Sequence, residues 1–593
     1  MTRTPLRPLA RILSARERGE NPDAIERENL RIRQEAMRDR SRQRAEGRLL
    51  MMGLLFFSAF TVLGARMGLL AATEPVEPRA AVSGASILAQ RADIVDREGR
   101  ILATNLVTHS LYAQPQSMVE PERAAEELAA IFPDLDAEKL KKDFTGSRKF
   151  LWIKRKISPE QMQAVHDIGD PGLLFGPREM RIYPNGALAS HVLGGASFGR
   201  EGVHSAEVIG TAGVEKTFDG WLRDPGNGGA PLQLSIDLGV QATIEEVLAG
   251  GMKLMNAKGA TAILMDIHSG EVVAMASLPD FDPNTRPQPA LKGDPSDSPL
   301  FNRAVQGVYE LGSTFKLFAI AQALDLGLVT PTTKIATRSP MTWGKHRIRD
   351  FHDYGAELSV TDIIVKSSNI GTARVALMIG GERQKAFLGT LGLLEPTAIE
   401  MVEAPTGRPI LPRTWPEITT MTVSYGHGLS ASPLHLAAAY ASVLNGGTRV
   451  VPTILKSPAP RPGPRVVSEQ TSGIMRAMLR AVVTRGTASF AEVPGYAVAG
   501  KTGTADKARP GGGYYEDKVI ATFAAIFPAH DPEYVLITSL DEPVETSGSE
   551  PRRTAGWTAV PVGAEIIRRV APILGLRPEV EPPAQHGITL VRN

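Results

Sequence analysis

Not one of the 593 residues is cysteine, which removes disulfides, thiolate metal sites and every mechanism built on a cysteine nucleophile. Covalent catalysis, if there is any, must use another side chain. An excess of charge is also missing: 66 Lys and Arg stand against 64 Asp and Glu, a formal net charge of +2, so nucleic acid or another polyanion is not an expected partner. There are no internal repeats and no His-Glu-x-x-His motif, and no metal or cofactor is expected. A further shortage is local. The first 48 residues hold Arg3, Arg7, Arg11, Arg31, Arg33, Arg38, Arg40, Arg42, Arg44 and Arg48 but no lysine.

That arginine-rich segment runs into LLMMGLLFFSAFTVLGA, residues Leu49 to Ala65, which carries no charge, and the apolar character resumes after Arg66 as far as Ala72. About 17 apolar residues is the lower limit for crossing hydrocarbon, so one transmembrane helix is expected over 49–72. Arg66 lies near its far end, where a guanidinium can reach the headgroups. A cleaved signal peptide has a short basic region and a core of about 7–15 residues, and neither fits. The arginine excess predicts a cytoplasmic amino terminus, with everything after Ala72 outside the cytoplasm, facing the periplasm or its equivalent.

The remaining length exceeds one domain of about 100–200 residues, so two are expected. Thr73 to Ala81 reads as an extended linker. Ile94 to Asn105 places apolar runs on either side of Arg97-Glu98-Gly99-Arg100, a hairpin pattern, and helical periodicity follows at Pro121 to Ile131 and Ser158 to Ile168. This mixed α+β unit spans 73–230. A second unit, 231–576, opens with a strand-like PLQLSI and a helix over Val240 to Leu248. Hairpin grammar appears at Ala260 to Ala276 and Val519 to Leu540, with apolar helical patterns between, notably Phe315 to Leu326 and Pro433 to Leu444. The pattern predicts an antiparallel sheet covered by helices. Ser457 to Pro464 reads as a surface loop and 577–593 as a poorly ordered tail.

Ser313-Thr314-Phe315-Lys316 opens the helix 315–326, whose apolar residues lie nearly all round it and mark it as buried. At a spacing of three, Ser313 and Lys316 share one face. A buried lysine is harder to keep charged, as a proton acceptor for serine requires, and the helix start supplies oriented N–H groups. A serine cap followed by a surface lysine would look the same. Ser367-Ser368-Asn369 is equally consistent with a turn or cap. Lys501-Thr502-Gly503-Thr504 lies in an alternating strand pattern, Tyr496 to Ala505, where Gly503 makes room for a backbone or ligand and Lys501 can pair with a carboxylate or simply point to solvent. The order of the three decides between these readings, because Ser-x-x-Lys, Ser-x-Asn and Lys-Thr-Gly in succession form the motif set of serine β-lactamases and penicillin-binding proteins.

The resemblance extends beyond those motifs. RADIVDREGRILATN (Arg91 to Asn105), RIYPNGALASHVLG (Arg181 to Gly194), GVEKTFD (Gly213 to Asp219), NRAVQGVYELGSTFK (Asn302 to Lys316) and LSASPLHLAAAYASVLNGG (Leu429 to Gly447) make the chain resemble the class B penicillin-binding proteins from the anchor to about Leu576. That resemblance implies an α/β architecture: a transpeptidase domain of serine β-lactamase-like fold, a mixed α+β pedestal before it, and one membrane helix. It implies D,D-transpeptidation of peptidoglycan stem peptides ending in D-Ala-D-Ala, with β-lactams as inhibitors. By the same resemblance Ser313 is the nucleophile and Lys316 its base, while Ser367 and Asn369 relay protons and hold the peptide. Lys501 and Thr502 bind the terminal carboxylate, Gly503 gives the close approach, and the N–H groups of Ser313 and Thr504 form the oxyanion hole. Asp541-Glu542-Pro543 and AGWTAVPV (Ala555 to Val562) resemble the division-specific type, which implies septal synthesis with a membrane-embedded glycan polymerase and other divisome proteins as partners; no glycosyltransferase domain precedes Pro231. The alternatives are an elongation-specific enzyme, a non-enzymatic β-lactam sensor in which the same acylation drives a signal, and a divisome scaffold whose catalytic remnant is unused. One departure is Leu311, where the family commonly has proline.

Overall fold

The computed structural model describes residues 13–14, 16–72, 91–201, 206–289, 292–457, 463–509 and 512–579. The expected linker Thr73 to Ala81, most of the loop Ser457 to Pro464 and the tail from 580 onward lie outside these residues.

The chain divides into two units, 1–84 and 85–593. In the first, one helix runs from Pro22 to Ala72, so residues 22–48 of the arginine-rich segment and the apolar stretch form a single rod. Its part Glu46–Met67, 22 residues, is long and apolar enough to cross a membrane. Two hydroxyls in that part are satisfied within the helix: Ser58 Oγ donates to Leu54 O at 2.8 Å and Thr61 Oγ1 to Phe57 O at 2.7 Å. Neither then needs a partner from hydrocarbon.

The second unit contains two sheets that matter for the site. The first is built on the long strand Ile101–Ala113, flanked antiparallel by Leu151–Ile157 and Leu173–Ile182. Ile94–Val95 folds back on its start through a tight turn in which Gly99 takes φ +81° and Asp96 Oδ1 accepts from the N–H groups of Glu98 and Arg100. Helices Pro121–Ile131 and Pro159–Ile168 fall where the periodicity predicts, the second with Ser158 and Gln161 forming a capping box. Leu232–Gln233 adds a short strand parallel to Ile94–Val95.

The family-like phrases at 91–105, 181–194 and 213–219 meet in one buried ion network. Glu215, wholly buried, accepts from Arg91 Nη2 at 2.6 Å, Arg181 Nε at 2.6 Å and Tyr183 Oη at 3.2 Å, and Arg91 Nη1 reaches Asp219 at 2.8 Å. Removing the central charge takes from buried Arg181 its Glu215 carboxylate and leaves buried Arg91 with Asp219 alone. Glu215→Gln is therefore expected to destabilise this portion by about 3–5 kcal/mol in urea unfolding. A loss below about 1 kcal/mol, the scale of an exposed pair, would show that the network is not energetically buried.

The second sheet is antiparallel throughout, in the order Ala499–Ala508, Tyr514–Phe527, Tyr534–Asp541, Gly259–Asp266, Val272–Leu278. Every residue of Val272–Leu278 is buried, because helices Leu238–Leu254 and Ala559–Ile573 lie over one face and Pro433–Leu444 over the other. Pro433–Leu444 is buried at every position, as a helix apolar all round must be. Among the described residues Ala499–Ala508 pairs with one neighbour, Tyr514–Phe527, so the Lys-Thr-Gly strand is the edge of this sheet.

Candidate active site

Ser313 lies one step away from its expected setting. The α-helix starts at Lys316, and Gly312–Phe315 form a 3-10 turn before it. In a 3-10 turn residues three apart eclipse one another, so the shared face of Ser313 and Lys316 is kept. Ser313 is half-buried and Lys316 wholly buried. The turn is pressed closely against the backbone of Ala499–Ala508. Gly312 takes φ +55°, and a Cβ on it would sit 2.7 Å from Thr504 O; a Cβ on Gly503 would sit 2.4 Å from Leu311 O. The close approach expected at Gly503 is thus made by the Ser313 turn itself. Leu311 is buried with φ −96°.

Ser367 closes the helix Val360–Lys366 in the left-handed conformation, φ 60° and ψ 44°, and Ser368 caps the next helix, Asn369–Ile379. The plain cap reading of Ser-x-Asn is therefore correct as local structure. The left-handed turn also aims Ser367 at the two lysines. Lys316 Nζ donates to Ser367 O and, at 3.0 Å, to Ser367 Oγ; Lys501 Nζ is also 3.0 Å from Ser367 Oγ and 2.9 Å from Thr502 O. One hydroxyl thus joins the three motifs. Sequence spacing alone aims Lys316 at Ser313, but its hydrogen bonds go to Ser367. Asn369 is half-buried and its side-chain amide donates to Arg349 O at 3.0 Å. Thr502 Oγ1 lies 2.7 Å from Thr487 Oγ1, and Thr504 Oγ1 accepts from Ala555 N–H at 3.0 Å.

Lys501 is fully buried, which rules out the solvated-strand reading, and burial pushes it down to about 7. Lys316 is held well below the usual lysine range, first by burial and then by the charge of Lys501, with Asp350 opposing. Two amines in one dry site favour at least one neutral form at neutral pH.

Asp350 has no motif signature. Its carboxylate accepts from Ser368 Oγ at 2.6 Å and from the N–H groups of Asn369 and Ile370 at 2.6 and 3.0 Å, so it anchors the start of the Asn369 helix. Tyr440, buried, donates to Thr314 O at 2.7 Å and braces the Ser313 turn from below. Among the described residues no group of three or more metal-ligating side chains is present.

A sheet edge, a Ser-x-x-Lys turn and a Ser-x-Asn cap thus gather around one hydroxyl, and the chain belongs to the penicillin-binding protein family. The model of the penicillin binding protein transpeptidase domain matches residues 260–564, and that of the penicillin-binding protein dimerisation domain matches 86–229. Within the family, the chain is similar to the division-type members. It is 37% identical over 83% of its length to a probable peptidoglycan D,D-transpeptidase FtsI of Caulobacter vibrioides, covering 82% of that protein. It is 28% identical to the peptidoglycan D,D-transpeptidase FtsI of Escherichia coli, over 82% of this chain and 84% of that one. Crystal structures of penicillin-binding protein 3 from Mycobacterium tuberculosis with aztreonam and with ampicillin superpose with TM-score 0.63 each, at 26% and 27% identity. They cover 83% and 84% of this chain and 98% of each solved chain.

Proposed function

We propose that this protein is a serine D,D-transpeptidase that crosslinks peptidoglycan stem peptides during septal wall synthesis and is acylated by β-lactams. The observation that carries this reading is the Ser367 hydroxyl held 3.0 Å from both Lys316 and Lys501, beside the Ser313 turn. Ser313 Oγ attacks the carbonyl of the penultimate D-Ala. Its proton passes to neutral Lys316, whose two hydrogen bonds to Ser367 leave a position on Nζ for the lone pair. The Ser367 hydroxyl relays that proton to the departing amine of the terminal D-Ala, and Asn369 holds the peptide. An amine of a neighbouring stem then attacks the acyl-enzyme, returning the proton to Ser313 Oγ. Lys501 and Thr502 hold the terminal carboxylate, and the N–H groups of Ser313 and Thr504 take the oxyanion. The edge strand Ala499–Ala508 supplies backbone groups against which an extended peptide can lie.

The helix Pro22–Ala72 anchors the protein in the inner membrane, with the arginine-rich end cytoplasmic and the catalytic part periplasmic. A chain of this class polymerises no glycan, so its partners are a membrane-embedded glycan polymerase and other divisome proteins. Domain limits follow: a tail at 1–48, the anchor at 49–72, the pedestal at 73–230, the transpeptidase domain at 231–576 and a tail at 577–593.

The test is release of D-Ala and formation of crosslinks from a pentapeptide donor by the purified protein, with septal enrichment of a fluorescent fusion as its cellular counterpart. Lys501→Ala is expected to raise KM or the pre-acylation dissociation constant for carboxylate-bearing substrates by about 10- to 100-fold, the scale of a lost charge-assisted bond. Unchanged acylation by penicillin would remove the role assigned to Lys501.

A further inference from the structure

The two halves of the oxyanion hole proposed above sit on different elements, Ser313 on its 3-10 turn and Thr504 on the edge strand, so something must fix their spacing. Glu310 lies three residues before Ser313, and its side chain is only 13% exposed. Its carboxylate accepts three donors from two other parts of the fold. His427 Nδ1 lies 3.0 Å from Oε2, Gly428 N–H donates to Oε1 at 2.8 Å, and the Tyr514 hydroxyl reaches both oxygens at 2.9 and 3.0 Å.

Each arm leads back to the reacting groups. Tyr514 pairs across the sheet with Ala508, at the far end of the strand that bears Thr504, and the ladder between them is broken by a register shift at Asp506/Ala508. Beyond that irregularity the strand end needs a separate tether, and Tyr514–Glu310 is one. The other arm holds the loop 425–428. There Gly426 takes φ +84°, and a Cβ on it would come 2.0 Å from Gly312 O, while Gly312 N–H donates to Gly426 O at 3.3 Å. The Ser313 turn is thus pressed between this loop and the edge strand, with one carboxylate bonded to the elements on both sides. Burial alone would raise the Glu310 carboxyl. Hydrogen bonds from His427, Gly428 and Tyr514 outweigh it and hold the group below the ordinary glutamate range.

We infer that Glu310 is a positioning residue for acylation: it clamps the nucleophile turn to the edge-strand hairpin through Tyr514 and to the 425–428 loop through His427 and Gly428, and so sets the distance between the Ser313 and Thr504 N–H donors. This rests on the acyl-transfer reading above. The hydrogen-bond partners of Glu310, namely His427, Gly428 and Tyr514, include none of Ser313, Lys316, Lys501 and Thr502. Glu310 therefore acts on the rate of bond formation and not on capture.

Stopped-flow acylation of the full-length, detergent-solubilised protein by a fluorescent penicillin separates the pre-acylation dissociation constant from the acylation rate constant. Glu310→Ala is expected to slow acylation by about 10- to 100-fold, the scale of a displaced oxyanion donor, with the dissociation constant changed less than about threefold. Glu310→Gln should recover acylation to within about threefold of wild type, because its amide oxygen can accept from Gly428 and Tyr514 while its NH2 donates to the other tautomer of His427. Tyr514 is 44% exposed, so Tyr514→Phe reads the clamp even if Glu310→Ala does not fold; about threefold to tenfold slower acylation is expected from the lost charge-assisted bond. Wild-type acylation rates in Glu310→Ala or Tyr514→Phe would overturn the inference, as would a loss confined to the dissociation constant or a Gln variant as slow as the Ala one. A wild-type protein that is not acylated at all would instead overturn the reading beneath it.

Discussion

Ser313→Ala is expected to abolish covalent labelling by fluorescent penicillin and to lower D-Ala release by a factor on the order of 10⁶, the size of nucleophile deletions in serine hydrolases. The expectation is that large because no second nucleophile is at hand. Cysteine is absent from the chain, and the Ser367 hydroxyl is already engaged by both lysines. The substitution should not disturb folding. Ser313 is half-buried in a turn whose geometry is set by Gly312 packed against Thr504 and by Tyr440 beneath Thr314, and alanine adopts the same backbone. Reversible binding of the penicillin should therefore survive, seen as competition without covalent trapping. Residual labelling at wild-type rate would mean that another residue is acylated.

The second large effect belongs to Lys316. Lys316→Met, which keeps most of the buried volume, is expected to slow acylation by about 10²–10⁴, the range of a lost general base. The pH profile carries more information than the rate. Burial and the neighbouring Lys501 charge lower Lys316, so its neutral, proton-accepting form is gained as pH rises through a value well under the usual lysine range. Lys501 must stay charged to hold a carboxylate, and burial puts its loss of charge near pH 7. Acylation by a carboxylate-bearing β-lactam should then be bell-shaped, with a falling limb near pH 7 and apparent values that belong to the pair. Lys316→Met should remove the rising limb and leave the falling one. The stability sign runs the other way from activity. A lysine whose folded pKa is depressed binds fewer protons folded than unfolded, so below its unfolded value it opposes folding, and removing it should not lower the thermal midpoint. A rate reduced with both limbs intact would shift the base assignment to another group.

Local patterns in the sequence were read most accurately where one periodicity dominated. The helices Pro121–Ile131 and Pro433–Leu444 and the two hairpins of the large sheet lie where apolar spacing and turn residues place them. The motif residues were legible because three short strings in fixed order are rare together. What was hidden depends on contacts between distant segments. Asp350 lies in no motif, yet its carboxylate anchors the helix that carries Asn369. Glu310, His427 and Tyr514 are ordinary residues in ordinary loops until the fold brings them within hydrogen-bonding distance. The spacing of Ser313 and Lys316 implied a helical turn but could not show that it is 3-10, or that Lys316 would bond to Ser367. The helix Pro22–Ala72 runs from the arginine-rich segment through the apolar one, because arginine and glutamate favour helix as readily as leucine does; hydropathy marks only the part that can enter a membrane.

The central claim is that the Ser313 hydroxyl is the group that takes up the acyl chain, and peptide mass mapping after treatment with penicillin tests it most directly. Cleavage after Arg303 and Lys316 isolates a peptide, residues 304–316, in which Ser313 is the sole serine. A single penicilloyl adduct on Ser313 in that peptide, formed in the wild-type protein and absent from Ser313→Ala, is the result expected. An unmodified 304–316 peptide beside an adduct elsewhere, or no adduct at saturating penicillin, would contradict the account.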